Sequence, residues 1–378
     1  MNRIEAWEQF TQEALKYRNE QIRALHDFFG REKDQIAADI VPIMDEFFQY
    51  AVQLQNLDLL KKCCVIKISL LRTRLFEGHA EYMLEVFDHE TLGSTKISPY
   101  RYEARWVHDY FNDWSQACEN KRKEYMGIIP PQSLDYWRRE QVDPFHVYMV
   151  HAVRHAVDRL ISLPSYQELA KDTQFEICVG EYGDIELCES VYCCNSRQKS
   201  STACKQWLDK KMEHEYVYEH IADVDISNGN YEGIQLNFTR LERVRLSGSH
   251  LQSSYLLNSK FESCDCSEVD FYGSVMFDAS FRECNLERAC FDEITGGRDV
   301  MNENYGLMFG IHGVQFQGAN LRAASFQNAV IAGDFRGALL EGTDFTGADL
   351  AGSTMLSRDQ SLVSLSESQR QSIVWVEE

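Results

Sequence analysis

Residues 241–291 read LERVR LSGSH LQSSY LLNSK FESCD CSEVD FYGSV MFDAS FRECN LERAC F, with an apolar residue at every fifth position: Leu241, Leu246, Leu251, Leu256, Phe261, Cys266, Phe271, Met276, Phe281, Leu286 and Phe291. Two residues ahead of each stands a mostly small side chain, as at Ser249, Ser254, Ser259, Cys264, Ser274, Ala279, Cys284 and Ala289. Neither a helix nor a flat strand repeats at five. Two inward positions per quintet, one large and one small, leave three outward, and there the Asp, Glu, Arg, Asn, Gln and Ser residues concentrate. That is the pattern of a closed coil in which each quintet forms one side. Four sides need about twenty residues per coil, and coils stacked at sheet spacing lie about 4.8 Å apart. The pattern therefore predicts columns inside the tube: Leu241, Phe261 and Phe281 in one, Phe271 and Phe291 in another.

The rule extends back through Ile226, Tyr231 and Leu236, and forward through Phe316, Leu321, Phe326, Ile331, Phe335, Leu340, Phe345, Leu350 and Met355. A right-handed quadrilateral β-helix is expected over 221–356. It is irregular at 292–310, where the twenty residues from Phe291 to Ile311 favour a degenerate coil with Met301 inward over a loop extruded near Gly296, Gly297 and Gly306. The four-residue step from Ile331 to Phe335 predicts a deletion at one corner. A solenoid exposes its end edges and needs covers. Residues 357–378, with Leu365, Gln369, Ile373 and Val374 at helical spacing, are expected to form a short helical C-terminal cap, with the helical domain covering the other end.

Gly318-Ala319-Asn320-Leu321, Gly347-Ala348-Asp349-Leu350 and Gly342-Thr343-Asp344-Phe345 follow an approximate A(D/N)LXX rule. In this the chain resembles the pentapeptide-repeat family over a little more than a third of its length. The resemblance implies that the rod binds proteins. Some bacterial members imitate duplex DNA, bind DNA gyrase or topoisomerase IV, and inhibit or protect those enzymes; a homodimer through the C-terminal cap is also implied. The departure is a large helical domain ahead of the solenoid.

That first part, 1–172, reads as an all-α domain. Ile4, Trp7, Phe10, Ala14, Ile22, Leu25 and Phe29 mark one helix ending at Gly30, and similar stripes predict helices over 36–60 and 63–87. Pro99, Pro130 and Pro131 punctuate further helices over 102–118, 134–141 and 145–160. Residues 173–220 read as a cysteine-rich hairpin plus connecting helix. Phe175, Ile177 and Val179 alternate, Gly180 to Asp184 turn, Ile185 and Leu187 alternate again, and a helix follows over 203–220.

The formal charge of -21 argues against a protein that grips nucleic-acid backbones directly and leaves a basic protein partner attractive. The acidity is denser in the shorter half: net -9 over residues 1–220 (27 basic, 36 acidic) and -12 over 221–378 (11 basic, 23 acidic). With no apolar-cored signal peptide and no run of about 18 apolar residues, a cytoplasmic protein with reduced cysteines is expected and no membrane partner.

For chemistry, Cys178, Cys188, Cys193 and Cys204 are weak candidates for a structural zinc, because thiolates at that density can staple a hairpin. They lack paired C-x-x-C knuckles, so reduced cysteines without a cofactor are the expectation. His151 and His155, four apart on a helix, could face one ligand. Lys121, Arg122, Lys123, Arg138 and Arg139 form the clearest basic clusters. No phosphate-cradling loop or nucleophile elbow is present, and no catalytic residue is assigned. The reading is a non-enzymatic protein-interaction scaffold with an acidic solenoid surface. Phe238, Tyr255, Tyr272, Phe277, Asp270, Asp278, Glu283 and Glu287 are its candidate binding residues. The DNA-mimicking gyrase or topoisomerase IV binder is the alternative. A ligand-sensing or enzymatic helical domain, with the solenoid as an arm, is the second alternative.

Overall fold

A computed structural model describes residues 2–91, 98–184, 188–195 and 199–377. The chain divides into two compact units, Met1–Tyr192 with Met301–Met308, and Cys193–Val300 with Phe309–Glu378.

The first unit contains helix α1 (Arg3–Asn56), strand β1 (Cys63–Leu70), helix α2 (Arg72–Phe76), strands β2 (Glu81–Phe87) and β3 (Arg101–Glu103), helices α3 (Arg105–Glu124), α4 (Pro131–Arg139), α5 (Asp143–Ile161) and α6 (Pro164–Glu168), and strands β4 (Lys171–Glu181) and β5 (Glu189–Asn195). It is mainly helical, with two corrections to the expected layout. The first helix does not end at Gly30 but runs through it and through Pro42. Ile22, Phe29 and Ile36 are seven apart and all buried, so the apolar stripe stays in phase across the glycine. Packing of that stripe outweighs the cost of a glycine in a helix, about 1 kcal/mol. Residues 63–87 form not a helix but β1 and β2, antiparallel, with Ile66 opposite Val86 and Ile68 opposite Leu84. β1 also pairs in parallel with β4, in a sheet ordered β3-β2-β1-β4-β5. A central strand buried on both faces carries apolar residues at nearly every position, and over a short run this is indistinguishable from a helix. β4 and β5 lie where the hairpin was expected; Ile185 and Leu187 fall outside the described residues.

The second unit is the four-sided solenoid. Parallel bridges link residues twenty apart, such as Asp225 to Arg245, Asn230 to His250 and Asp265 to Asn285. Leu241, Phe261, Phe271, Phe281, Phe291, Phe316, Leu321, Phe326, Phe345 and Leu350 are all 0% exposed. The rings form two stacked columns. Phe261 to Phe281 is 4.6 Å between centroids, Phe281 to Phe316 5.6 Å and Phe316 to Phe335 5.1 Å. Phe271 to Phe291 is 5.0 Å, Phe291 to Phe326 4.7 Å and Phe326 to Phe345 5.2 Å. The small inward positions have a second job. The Ser249 hydroxyl donates to the Ile226 carbonyl (3.1 Å), Ser274 to Leu251 (2.8 Å) and Thr343 to Leu321 (2.9 Å), which ties each coil to the one before it. Along the regular coils the residue two after the large one turns the corner in the left-handed region, with Gly333 at the corner deletion an exception. That is why the most recognisable units begin with glycine, at Gly318 (φ +68) and Gly347 (φ +73).

The expected degenerate coil at 292–310 is absent. Ser280 bridges Gln315 and Thr295 bridges Val330, both thirty-five apart, so fifteen extra residues leave the wall between Gly296 and Val314. Fifteen is a multiple of five, and this alone preserves the phase. Met301 is half-buried outside the tube, and Met301–Met308 belongs to the first unit. There Arg18 donates to the Glu303 carbonyl (3.1 Å) and Asn304 Oδ1 (3.0 Å), Arg23 pairs with Glu303, and His151 Nε2 bonds the Leu307 carbonyl (2.7 Å). The corner deletion lies where expected: Asn320 bridges Leu339 and Ser325 bridges Asp344, nineteen apart.

Both ends of the tube are covered. Helix α7 (Ser201–Leu208) and Tyr216 close the first coil, with Cys204, Leu208 and Tyr216 joining the solenoid core. Lys205 Nζ bonds the Ser227 carbonyl at 2.6 Å. At the far end, helix α8 (Glu367–Ser372) sends Gln369 Nε2 to the carbonyls of Phe345 (2.7 Å) and Ala348 (2.9 Å). Val374–Val376 then adds one more rung beside Thr354–Leu356.

Candidate functional site

The outward residues of the solenoid divide by face, and the four faces differ in charge. On the face through Leu241 and Phe261, Arg240 bonds Glu262 (2.6 Å) and Arg243 bonds Asp223 (2.7 Å). On the face through Leu246 and Leu286, Arg245 bonds Asp225 (3.1 Å), Arg288 bonds Glu268 (3.1 Å) and Arg322 bonds Glu341 (3.2 Å). Each pair spans neighbouring coils, so ion pairs neutralise these walls lengthwise.

The face through Tyr231, Leu251, Phe271, Phe291, Phe326 and Phe345 is different. Its outward positions carry Glu232, Asp270, Asp292, Glu293 and Asp344 and neither lysine nor arginine. Lys211, from the N-terminal cap, reaches its near end and bonds Asn230 (3.1 Å). The carboxylates are oriented by neutral groups. Tyr272 N–H donates to Asp270 (2.9 Å), Gln327 N–H to Asp292 (2.7 Å) and the Tyr272 hydroxyl to Glu293 (2.6 Å). The Thr346 hydroxyl and N–H hold the Asp344 carboxyl below the usual range. The wall is acidic, uncompensated and rigidly presented. The adjoining face displays Tyr255, 46% exposed, and Val330, 49% exposed.

Of the expected binding residues, Asp270 and Tyr272 lie on this acidic face and Tyr255 beside it. Glu283 and Glu287 point outward on the two ion-paired faces. Phe238 is instead stacked on Tyr218 (4.7 Å) and Phe277 on Phe309 (5.8 Å). Asp278 is 9% exposed and accepts the Gly310 and His312 N–H groups, each at 2.7 Å, so it anchors the root of the inserted segment and offers no docking surface. Glu232, Asp292, Glu293 and Asp344 were overlooked. Sorting outward residues at intervals of twenty, with the insertion removed, brings them together.

The zinc candidates do not gather. Among the described residues no three His, Cys, Asp or Glu side chains are grouped to hold a metal. Cys204 is buried in the solenoid cap, Cys193 is half-buried, the Cys178 S–H donates to the Ile66 carbonyl (3.7 Å) and the Cys188 S–H to the Asp184 carbonyl (3.3 Å). The histidines do not converge either: His151 serves the Leu307 carbonyl and His155 bonds Asp34 (2.8 Å). Three residues of the basic clusters are ion-paired, Lys121 with Glu13 and Glu124, Arg122 with Glu119, and Arg138 with Asp135, and Arg139 lies over the Phe76 ring (5.6 Å). In the first unit, the Tyr82 hydroxyl sits between His108 Nε2 and His146 Nδ1, 2.8 Å from each. Burial pushes His108 down to about 3 and His146 to about 4. An open apolar groove of about 700 Å³ lies between Ile4, Trp7, Pro130, Tyr136 and Trp137, and neither histidine nor cysteine lines it.

The family model for pentapeptide repeats, in eight copies, matches residues 239–276 and 334–356. The solenoid is a pentapeptide-repeat domain. Solved pentapeptide-repeat structures resemble it at low identity. Trypsin-treated QnrB1, a plasmid-mediated fluoroquinolone resistance protein, is 22% identical over 37% of this chain and 67% of its own, with a TM-score of 0.27. A pentapeptide repeat protein from the Arabidopsis thaliana thylakoid lumen is 19% identical over 29% and 67%, TM-score 0.25. Rfr23 from the cyanobacterium Cyanothece 51142 is 20% identical over 37% and 90%, TM-score 0.20. No curated protein matches the chain. What sets this pentapeptide-repeat domain apart from an uninterrupted repeat is the fifteen-residue excursion and the helical unit to which its tip belongs. Among the described residues no helix is long and apolar enough to cross a membrane.

Proposed function

We propose that this is a non-enzymatic protein-binding rod whose acidic face occupies a basic groove that otherwise receives nucleic acid, with DNA gyrase and topoisomerase IV as the first enzymes to test. The observation that carries the reading is the wall of Glu232, Asp270, Asp292, Glu293 and Asp344 without an intervening cation. These residues span five coil steps, about 24 Å at sheet spacing. One strand of duplex DNA presents a phosphate every 3.4 Å or so, roughly seven over the same rise. The acidic wall therefore approaches the charge density of one strand, and the ion-paired walls do not. A solenoid held by stacked rings and backbone ladders loses little further entropy on docking, and Tyr255 and Tyr272 at the edge supply apolar contact.

The test is a gyrase and topoisomerase IV supercoiling and decatenation assay with the full chain, accompanied by direct binding at two salt concentrations. Binding that weakens with salt is expected, with inhibition or drug protection at micromolar protein. Replacing Glu232 and Glu293 by Lys should weaken binding at least about tenfold, while Glu283→Lys on an ion-paired wall leaves it within about twofold. Equal loss from both changes would refute the one-faced reading. Absence of binding to either enzyme would refute the DNA-mimicking role and leave the broader role, an acidic scaffold for another basic protein.

A further inference from the structure

In the first unit the start of α1 and α4 lie side by side and run in the same direction. Arg3 Nη2 reaches the Ser133 hydroxyl (3.4 Å), and four residues further along both helices Trp7 meets the Trp137 ring edge-on at 5.9 Å. Between the two helices opens the groove of about 700 Å³. Buried rings brace its aromatic wall: Phe10 stacks on Trp7 (5.8 Å) and Trp114 packs against Trp137 (5.5 Å). Ile4 and Tyr136 flank the groove, 70% and 71% exposed.

Two kinds of polar group in this groove lack protein partners. Four of the chain's six indole N–H groups bond protein acceptors: Trp106 the Tyr102 hydroxyl (2.9 Å), Trp114 the Ala14 carbonyl (2.8 Å), Trp207 the Glu215 carboxylate and Trp375 the Arg370 carbonyl (2.9 Å). The other two belong to Trp7 and Trp137. Both side chains are half-buried, and neither N–H meets a protein acceptor among the described residues. The charges at the two ends of the groove are unmatched as well, since neither Arg3 nor Glu140 has an ion-pair partner among the described residues. Arg3 stands beside Ser133 in the first turn of α4, and Glu140 caps that helix seven residues on. About 10 Å of helix therefore separates the cation from the anion.

We propose that the groove binds a proline-rich segment of a partner protein in the polyproline II conformation, with an acidic residue at the Arg3 end and a basic residue at the Glu140 end. Polyproline II makes no internal hydrogen bonds, so its carbonyls are free to accept from the Trp7 and Trp137 N–H groups. Proline rings supply apolar surface to the aromatic wall, and a segment already fixed in φ loses little entropy on docking. A helix would arrive with its carbonyls already bonded, and an added strand needs a sheet edge, which two helices do not offer. At about 3.1 Å per residue, the span between the two charges corresponds to three or four residues of the ligand. Of the chain's six prolines only Pro130 and Pro131 are neighbours, and they begin α4 itself, so the occupant comes from another protein. This binding is independent of the solenoid's acidic wall.

The experiment uses the full chain and the fluorescein-labelled peptide Gly-Gly-Glu-Pro-Pro-Pro-Lys-Gly-Gly, read by fluorescence anisotropy. This peptide should bind saturably. Exchanging its Glu and Lys should weaken binding about fivefold, since two ion pairs become two repulsions. Replacing its prolines by alanine should weaken binding at least about tenfold. Trp7→Phe, checked for native circular dichroism, keeps a ring but removes one N–H and should weaken binding about three- to tenfold. In the double variant Arg3→Glu, Glu140→Lys, at two exposed positions, the preference between the two charge orders should invert. Absence of saturable binding, equal binding of the alanine peptide, or an unchanged charge preference in the double variant would overturn the proposal. So would a dimer in sedimentation velocity that Tyr136→Asp dissolves, because it assigns the groove to a second copy of the chain.

Discussion

Replacing Phe281 by Ala tests the architecture at its most densely packed point. The Phe281 ring is 0% exposed. It stacks on Phe261 at 4.6 Å and Phe316 at 5.6 Å, and meets the edges of Phe271 at 5.4 Å and Phe291 at 5.8 Å. Removing a buried phenylalanine costs about 3–5 kcal/mol, the spread reflecting how far the site can collapse. Here collapse is blocked, because the coils above and below are held apart by backbone bonds such as Phe261 N–H to the Ser280 carbonyl (2.8 Å) and Phe281 N–H to Gln315 (2.7 Å). The loss should therefore lie near the top of the range, about 4–5 kcal/mol. Phe281→Leu keeps most of the apolar area, loses the ring contacts, and should cost about 1–1.5 kcal/mol. Because the chain has two units, a single melting temperature mixes them, and amide hydrogen exchange is the cleaner readout. The amides of Phe261 and Phe281 should exchange about a thousandfold faster in the alanine variant, with a smaller effect at distant coils, since repeats couple chiefly to their neighbours. A change of under about tenfold at these amides, or an equal change along the whole tube, would refute a core made of stacked columns.

Three further outcomes follow from the same geometry. Excising residues 297–311 should close the wall without a register shift, because Gly313, already at φ +66, takes the corner and Val314 and Phe316 take the small and large inward positions; loss of protection at Phe316 and Leu321 would refute the in-phase insertion. Gly306→Ala should free the segment at 301–308, since its φ is +74 and an added Cβ would lie 2.3 Å from the Pro144 carbonyl oxygen, a cost of several kcal/mol read as faster exchange at Leu307. The third concerns pH. His108, His146 and His151 are held neutral by burial, at about 3, 4 and 3, while the unfolded chain takes up protons below about 6.5. Their depressed values therefore leave stability intact above about pH 6.5 and remove it as pH falls, by about 2 kcal/mol for each ring between pH 7 and 5. Urea midpoints followed through buried Trp114 should drop accordingly, and equal midpoints at the two pH values would refute neutral burial.

The candidate site was partly readable in advance. Its excess of acid, its outward positions and Asp270, Tyr255 and Tyr272 follow from the repeat rule. Its confinement to one wall does not, because which carboxylates are neutralised depends on arginine side chains reaching across to the next coil. Asp278 and Phe277 obey the same outward rule as Asp270 and Tyr272. They are covered only because the inserted segment, with the Gly310 and His312 N–H groups and the Phe309 ring, comes to rest on them.

The five-residue period determined the tube, its inward residues, the columns of rings and the corner deletion, because a closed coil makes the same demand on every quintet. Tertiary structure decided three things that local pattern leaves degenerate. An insertion of fifteen residues keeps phase whether it continues the wall or departs from it, and its contacts with Arg18, Arg23 and His151 settle the outcome. Residues 63–70 are apolar enough for a buried helix or a buried strand, and pairing with β2 on one side and β4 on the other makes them a strand. Gly30 could end a helix, yet the buried stripe through Ile22, Phe29 and Ile36 carries α1 across it, because long-range packing contributes more free energy than one residue's backbone preference costs.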